Sequence, residues 1–192
     1  MNSTIYYNPA QVASSANLRT SIVSSLSQYA NNVEINKFGG RFKYSKLNTL
    51  IDRVDNGITS NITKVIIRRD MKALLNQFAQ YELCFGNRFY INPAGFNIKS
   101  TGFTIQGSGQ TAYLTDVPNK DAFGNLDGSM KGTLSVVTKN NKNEQVVLMK
   151  EAGIVDYMKG EVILNTINIT STTTQNNIIC LLYTSDAADE SV

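Results

Sequence analysis

The sequence predicts an α+β protein in two parts, a small α-β-α-β domain over residues 1–70 and a mainly antiparallel β domain over residues 71–179. Two helix-spaced apolar stripes lie before residue 55, a β-branched run follows them, and short aromatic or β-branched segments divided by turn signals fill the chain from Tyr81 onward.

The first helix is read from Leu18, Ile22, Leu26 and Tyr29, which recur at the spacing of one helical face. Asn8-Pro9 offers its start, since asparagine caps well and proline is tolerated in a first turn. Asn31-Asn32 ends it. Phe38-Gly39-Gly40 then turns into Arg41-Phe42-Lys43-Tyr44, whose polar/apolar alternation reads as a short strand. Ser45 is placed to cap a second helix carrying Leu47, Leu50, Ile51 and Val54, with Asp55-Asn56-Gly57 as its glycine stop. Ile58 to Ile67 holds Ile62, Thr63, Val65, Ile66 and Ile67, the composition of a strand.

After Arg68-Arg69, the segment Asp70 to Gln80 fits either a short helix or a bridging strand. Beyond it, Phe96–Ile105, Gly132–Thr138, Glu144–Met149 and Glu161–Ile169 have strand composition, and Asn140-Asn141-Lys142-Asn143 suits a hairpin connection.

A chain of 192 residues can bury a sizeable core without a disulfide framework. Charged residues make up only 17% and the polar remainder is rich in Asn, Ser and Thr, which favours strands and turns over helices. The chain has no histidine, which removes the commonest general base, and Cys84 and Cys180 lack metal-ligand spacing. No catalytic, cofactor-binding or metal-binding residue is therefore assigned. The Lys and Arg residues are dispersed, with no cluster that marks a nucleic-acid partner. Neither a membrane-spanning run nor an export signal is present at the start, so a soluble protein without membrane or small-molecule substrate is expected.

Residues 180–192 stand apart. Cys180-Leu181-Leu182-Tyr183-Thr184-Ser185-Asp186-Ala187-Ala188-Asp189-Glu190 resembles the translation of a transposase-based sequencing adaptor and follows the Ser/Thr/Asn-rich stretch Asn165–Asn177 abruptly. We read 180–192 as not native and expect the natural protein to continue past Asn177, Ile178 or Ile179, with Met1 an internal or miscalled start. Setting the segment aside removes Asp186, Asp189 and Glu190 but no base, and raises the net charge above the +3 of the whole chain.

The remaining motifs carry little chemistry. Gly107-Ser108-Gly109 lacks the later glycine and the Lys-Ser/Thr of a phosphate loop and reads as a turn. Asp121, Asn125, Asp127 and Gly128 have some character of a calcium loop, but Phe123 occupies a ligand position and no glutamate closes the set. Asp52, Asp55 and Asp70 show no acid/base spacing, and Asn61-Ile62-Thr63 and Asn168-Ile169-Thr170 matter as glycosylation acceptors only after export.

Several stretches together resemble the baseplate J family of T4-like contractile-tail phages. They are Leu26-Ser27-Gln28-Tyr29, Phe38 to Leu47, and Ile51-Asp52-Arg53-Val54-Asp55-Asn56-Gly57-Ile58, followed by Tyr81 to Arg88, Ser100 to Phe103, and Gly153 to Val162 with its Asp156-Tyr157-x-x-Gly160 hairpin. The resemblance spans about Leu18 to Ile169 and makes the first domain baseplate-J-like. It implies a fragment of a non-enzymatic structural subunit of the tail baseplate wedge, assembled in the bacterial host cytoplasm. Such a subunit pairs with itself as a dimer and with neighbouring wedge subunits, forms the ring around the central hub and helps signal sheath contraction. Phe38, Phe42, Tyr44, Phe85, Phe89 and Tyr90 are candidate interface aromatics, each also suited to a core. The alternatives are a carbohydrate-binding or adhesion module, disfavoured by the absence of Trp, and a tail-associated hydrolase built on a carboxylate pair that no local motif supplies.

Overall fold

The computed structural model describes residues 1–32 and 42–185. The chain divides into two compact units, Met1–Val65 and Ile66–Thr184, with Ser185 grouped with the first.

In the first unit, β1 (Asn2–Tyr7) pairs antiparallel with the start of β2 (Ile58–Lys72), Asn2 opposite Lys64 and Tyr7 opposite Ile58. Helices α1 (Ser15–Ala30) and α2 (Tyr44–Asp52) supply most of the core: Leu18, Ile22 and Tyr29 from one, Leu47 and Ile51 from the other. Leu26, Leu50 and Val54 pack beside them, as the stripes require, together with Ile5 and Val65 from the strands. Each buried aliphatic side chain here contributes roughly 1.5–3 kcal/mol of transfer free energy. The Tyr44 hydroxyl donates to the Thr63 carbonyl and ties α2 to β2.

Four expectations are corrected in this unit. Asn8 does not cap α1: its Oδ1 accepts from Ala10 N in a local turn, and the helix begins where Ser14 Oγ accepts from Asn17 N at 3.1 Å. The strand expected over Arg41–Tyr44 is not formed at Phe42 and Lys43, and Tyr44 opens α2 because its ring is needed in the core; Phe38 to Arg41 lie outside the described residues. Lys43, not Ser45, is the N-cap of α2, without a side-chain hydrogen bond. Gly57 is not a helix stop: α2 ends at Asp52, and Gly57 N donates to Asp55 Oδ1 at 2.7 Å in a turn that starts β2. A Cβ at Gly57 would lie 2.6 Å from Val12 Cγ2, so close packing is what requires glycine there.

The second unit is mainly β. Strands β5 (Phe103–Ile105), β6 (Ala112–Pro118), β7 (Lys131–Lys139), β8 (Gln145–Asp156) and β9 (Glu161–Thr172) pair successively and antiparallel, and β9 returns to β5, closing a five-stranded barrel. Around it, β3 (Phe78–Cys84) pairs with β9, β4 (Ile98–Ser100) with β6, and β10 (Ile178–Ser185) with β4. Closure removes most of the unpaired edges that an open sheet of this size would expose.

The core alternates along the strands: Leu134 and Val136 of β7, Val162 and Leu164 of β9, Leu181 and Tyr183 of β10 all point inward. Phe85, Phe89, Tyr157 and Tyr183 form an aromatic cluster, with Phe89 4.5 Å from Tyr183 and 5.1 Å from Phe85 between ring centroids. The hairpin at Asn140–Asn143 forms as expected, with Asn140 N donating to Glu144 O at 2.9 Å. The region Asp70–Gln80 resolves to the end of β2, a turn and the start of β3, with no helix. Phe96–Ile105 is not one strand, because Thr101-Gly102 separates β4 from β5. Space for a Cβ at Gly102 is blocked by Thr111 and Thr173 at 2.6 and 2.8 Å.

Candidate interaction surfaces

The acidic residues singled out from sequence are used locally. Asp52 Oδ1 accepts from Asn61 Nδ2 at 2.6 Å, and Asp70 is held by Arg68, whose hydrogen bond lowers its proton affinity. Asp121 Oδ1 accepts from the amides of Phe123 and Asn125, both at 2.9 Å, and Asp127 Oδ1 accepts from Ser129 N at 2.8 Å. Hydrogen bonds from Ser129 keep the Asp127 carboxyl below its usual range. These carboxylates shape the β6–β7 loop, and among the described residues no cluster of three metal-ligating side chains occurs. Gly107-Ser108-Gly109 is the turn leaving β5, with Gly107 at φ +82°. Cys84 and Cys180 are both free thiols. The acceptor asparagines are engaged as well, Asn61 with Asp52 and Asn168 with Gln106.

The expected interface aromatics divide. Tyr44, Phe85 and Phe89 are buried in their units, Phe42 is half-buried against the helical core, and Tyr90 is partly exposed. Phe38 lies outside the described residues. The large apolar side chains left at the surface are others, and strand alternation places them.

In the first unit, Asn61, Thr63 and Val65 of β2 face the helices, so Ile62 faces away and is 64% exposed. Tyr6, one strand over, is 51% exposed. With the helices on one face of the β1–β2 pair, Tyr6 and Ile62 stand exposed on the other among the described residues. In the second unit, Val146, Val147, Leu148 and Met149 of β8 are each at least 38% exposed. They pair with β7 on one side only, because the β8–β9 ladder is confined to Gly153–Asp156. An unpaired apolar edge favours association with another chain, and the register shifts at Val136 and Val137 partly guard it by twisting the strand. Phe123, at the tip of the β6–β7 loop, is 90% exposed. Periodicity within β2 was the available signal for Ile62; β8 gave none, since four consecutive apolar residues also fit a buried strand.

Exposed apolar side chains of this kind offer area that another macromolecule can cover. No curated protein matches the chain. Residues 1–70, nearly the extent of the first unit, match the family described as baseplate structural protein gp6, C-terminal domain III. That match supports a phage baseplate structural protein.

Proposed function

We propose that the chain is part of a baseplate wedge subunit of a contractile-tail phage, non-enzymatic and of the baseplate-J kind. In this reading it pairs with a second copy and with neighbouring wedge subunits, contributes to the ring around the central hub and passes on the signal for sheath contraction. It is assembled in the host cytoplasm before it reaches the virion. The single observation that carries the reading is the match of residues 1–70 to a baseplate structural domain. The exposed Tyr6 and Ile62 of the β1–β2 pair add to it, because a domain whose role is assembly needs apolar area for a neighbour.

The test is to sequence the gene across the Ile179–Cys180 junction and through its neighbours. A frame that continues into a longer gene among tail genes is expected. A gene that ends at Val192 and stands apart from any tail gene would overturn the reading.

A further inference from the structure

On the face of β4, β6 and β7 opposite the barrel interior, the second unit holds a groove of about 260 Å³. Its walls follow from register: Lys99 lies opposite Thr115, Tyr113 opposite Val137, and Lys139 opposite Gln145. Leu134 and Val136 point into the barrel, so Val137 and Lys139, two residues apart, share the opposite face of β7, and Val137 and Tyr113 give the groove an apolar wall.

Lys99 and Lys139 are exposed, form no ion pair with any described residue, and meet no acidic side chain in the lining. Thr115 is only 3% exposed, and its hydroxyl has no hydrogen-bond partner among the described residues. Two unopposed ammonium groups raise the positive potential over the groove, and a buried hydroxyl without a partner favours any acceptor that reaches it. A carboxylate has lone pairs for all three donors. The volume lies below the roughly 300–1,000 Å³ of small-molecule pockets, which suits one side chain better than a saccharide chain. The methylene stem of a glutamate would lie on Tyr113 and Val137.

We infer that the groove receives an acidic side chain, glutamate or aspartate, from an extended segment of a partner protein. This stands independently of the baseplate reading, since it rests on the second unit alone.

The test is calorimetric titration of the full 192-residue chain with hexaglutamate, against hexaglutamine, inorganic phosphate and digalacturonate. Hexaglutamate is expected to bind and hexaglutamine not. Lys99→Gln with Lys139→Gln should weaken binding about tenfold, two exposed charge pairs being lost. Thr115→Val should weaken it a further few-fold, while Lys131→Gln with Lys142→Gln, an equal charge change elsewhere, should leave it unchanged. Binding that survives both groove replacements, or falls equally in the control pair, overturns the inference. Tighter binding of phosphate or digalacturonate also overturns it, in favour of a free anion or an acidic sugar.

Discussion

The hydroxyl of Tyr157 donates to Oδ2 of Asp116 at 2.9 Å, and neither side chain reaches solvent. Oδ1 of the same carboxylate accepts from Ile98 N at 2.7 Å, so Asp116 joins β6, the start of β4 and the turn after β8. Burial pushes the Asp116 carboxyl above its ordinary range, against the pull of hydrogen bonds from Ile98 and Tyr157. Burial, reinforced by the charge on Asp116, holds the Tyr157 phenol neutral far above its usual range.

Asp116 binds its proton more tightly folded than unfolded. Its contribution to stability is therefore fully present below the unfolded value near 3.8 and is lost as pH rises through the raised folded value. Asp116→Asn should abolish this loss, read as a urea midpoint that no longer falls across that window. Asp116→Ala should instead cost about 1–3 kcal/mol for each donor left unpaired, Ile98 N–H and the Tyr157 hydroxyl. A pH slope unchanged in Asp116→Asn would contradict the assignment.

Gly160 closes the Asp156-Tyr157-x-x-Gly160 hairpin. Its N–H donates to Asp156 O at 2.9 Å, its φ is +69°, and a Cβ there would lie 1.8 Å from Asn87 O. Left-handed strain and backbone collision add, so Gly160→Ala should destabilise the second unit by about 2–4 kcal/mol. Chemical denaturation measures this, and a change below about 0.5 kcal/mol would contradict the geometry.

Strand β10 bears on the origin of residues 180–192. Leu181 and Tyr183 are fully buried, and Tyr90 N–H donates to the Tyr183 hydroxyl at 2.6 Å. We propose that these residues derive from an adaptor; native residues standing in their place would then have to be apolar at the positions of Leu181 and Tyr183. A chain ended at Ile179 should lose roughly 1.5–3 kcal/mol for each of the two side chains. An unchanged thermal midpoint would show that Leu181 and Tyr183 add nothing to this core.

Ile62 is exposed on the face of β2 opposite the helices. Ile62→Lys should leave the unfolding free energy within about 0.5 kcal/mol of the parent, as for other exposed positions. In sedimentation velocity it should shift a dimer toward monomer; a dimer unaffected by the change would move the self-contact to another surface.

Both helices and strands β7, β8 and β9 of the second unit were legible in the sequence, the helices and β9 because their core residues recur at the period of the element: Leu18, Ile22 and Tyr29 in α1, Leu47 and Ile51 in α2, Val162 and Leu164 in β9. What escaped were elements whose local chemistry argues against them. Strand β6 carries Asp116 and Pro118, residues disfavoured in strands, and is kept by pairing on both sides and by the partners of Asp116. Strand β2 continues through Arg68, Arg69 and Asp70 because those side chains stay exposed while the backbone extends. Strand β1 has one core apolar position, Ile5, too few to show a period. The groove at Lys99 and Lys139 had no sequence signal, since its residues come from four strands whose adjacency only the barrel register sets.

The most direct test of the baseplate assignment is immunogold electron microscopy of contractile tails from phage carrying the gene, using antibodies raised against residues 1–70. Gold confined to the baseplate, at the end of the tail distal to the head, is the expected result. Label along the sheath, on the capsid or absent from particles that contain the protein would contradict it.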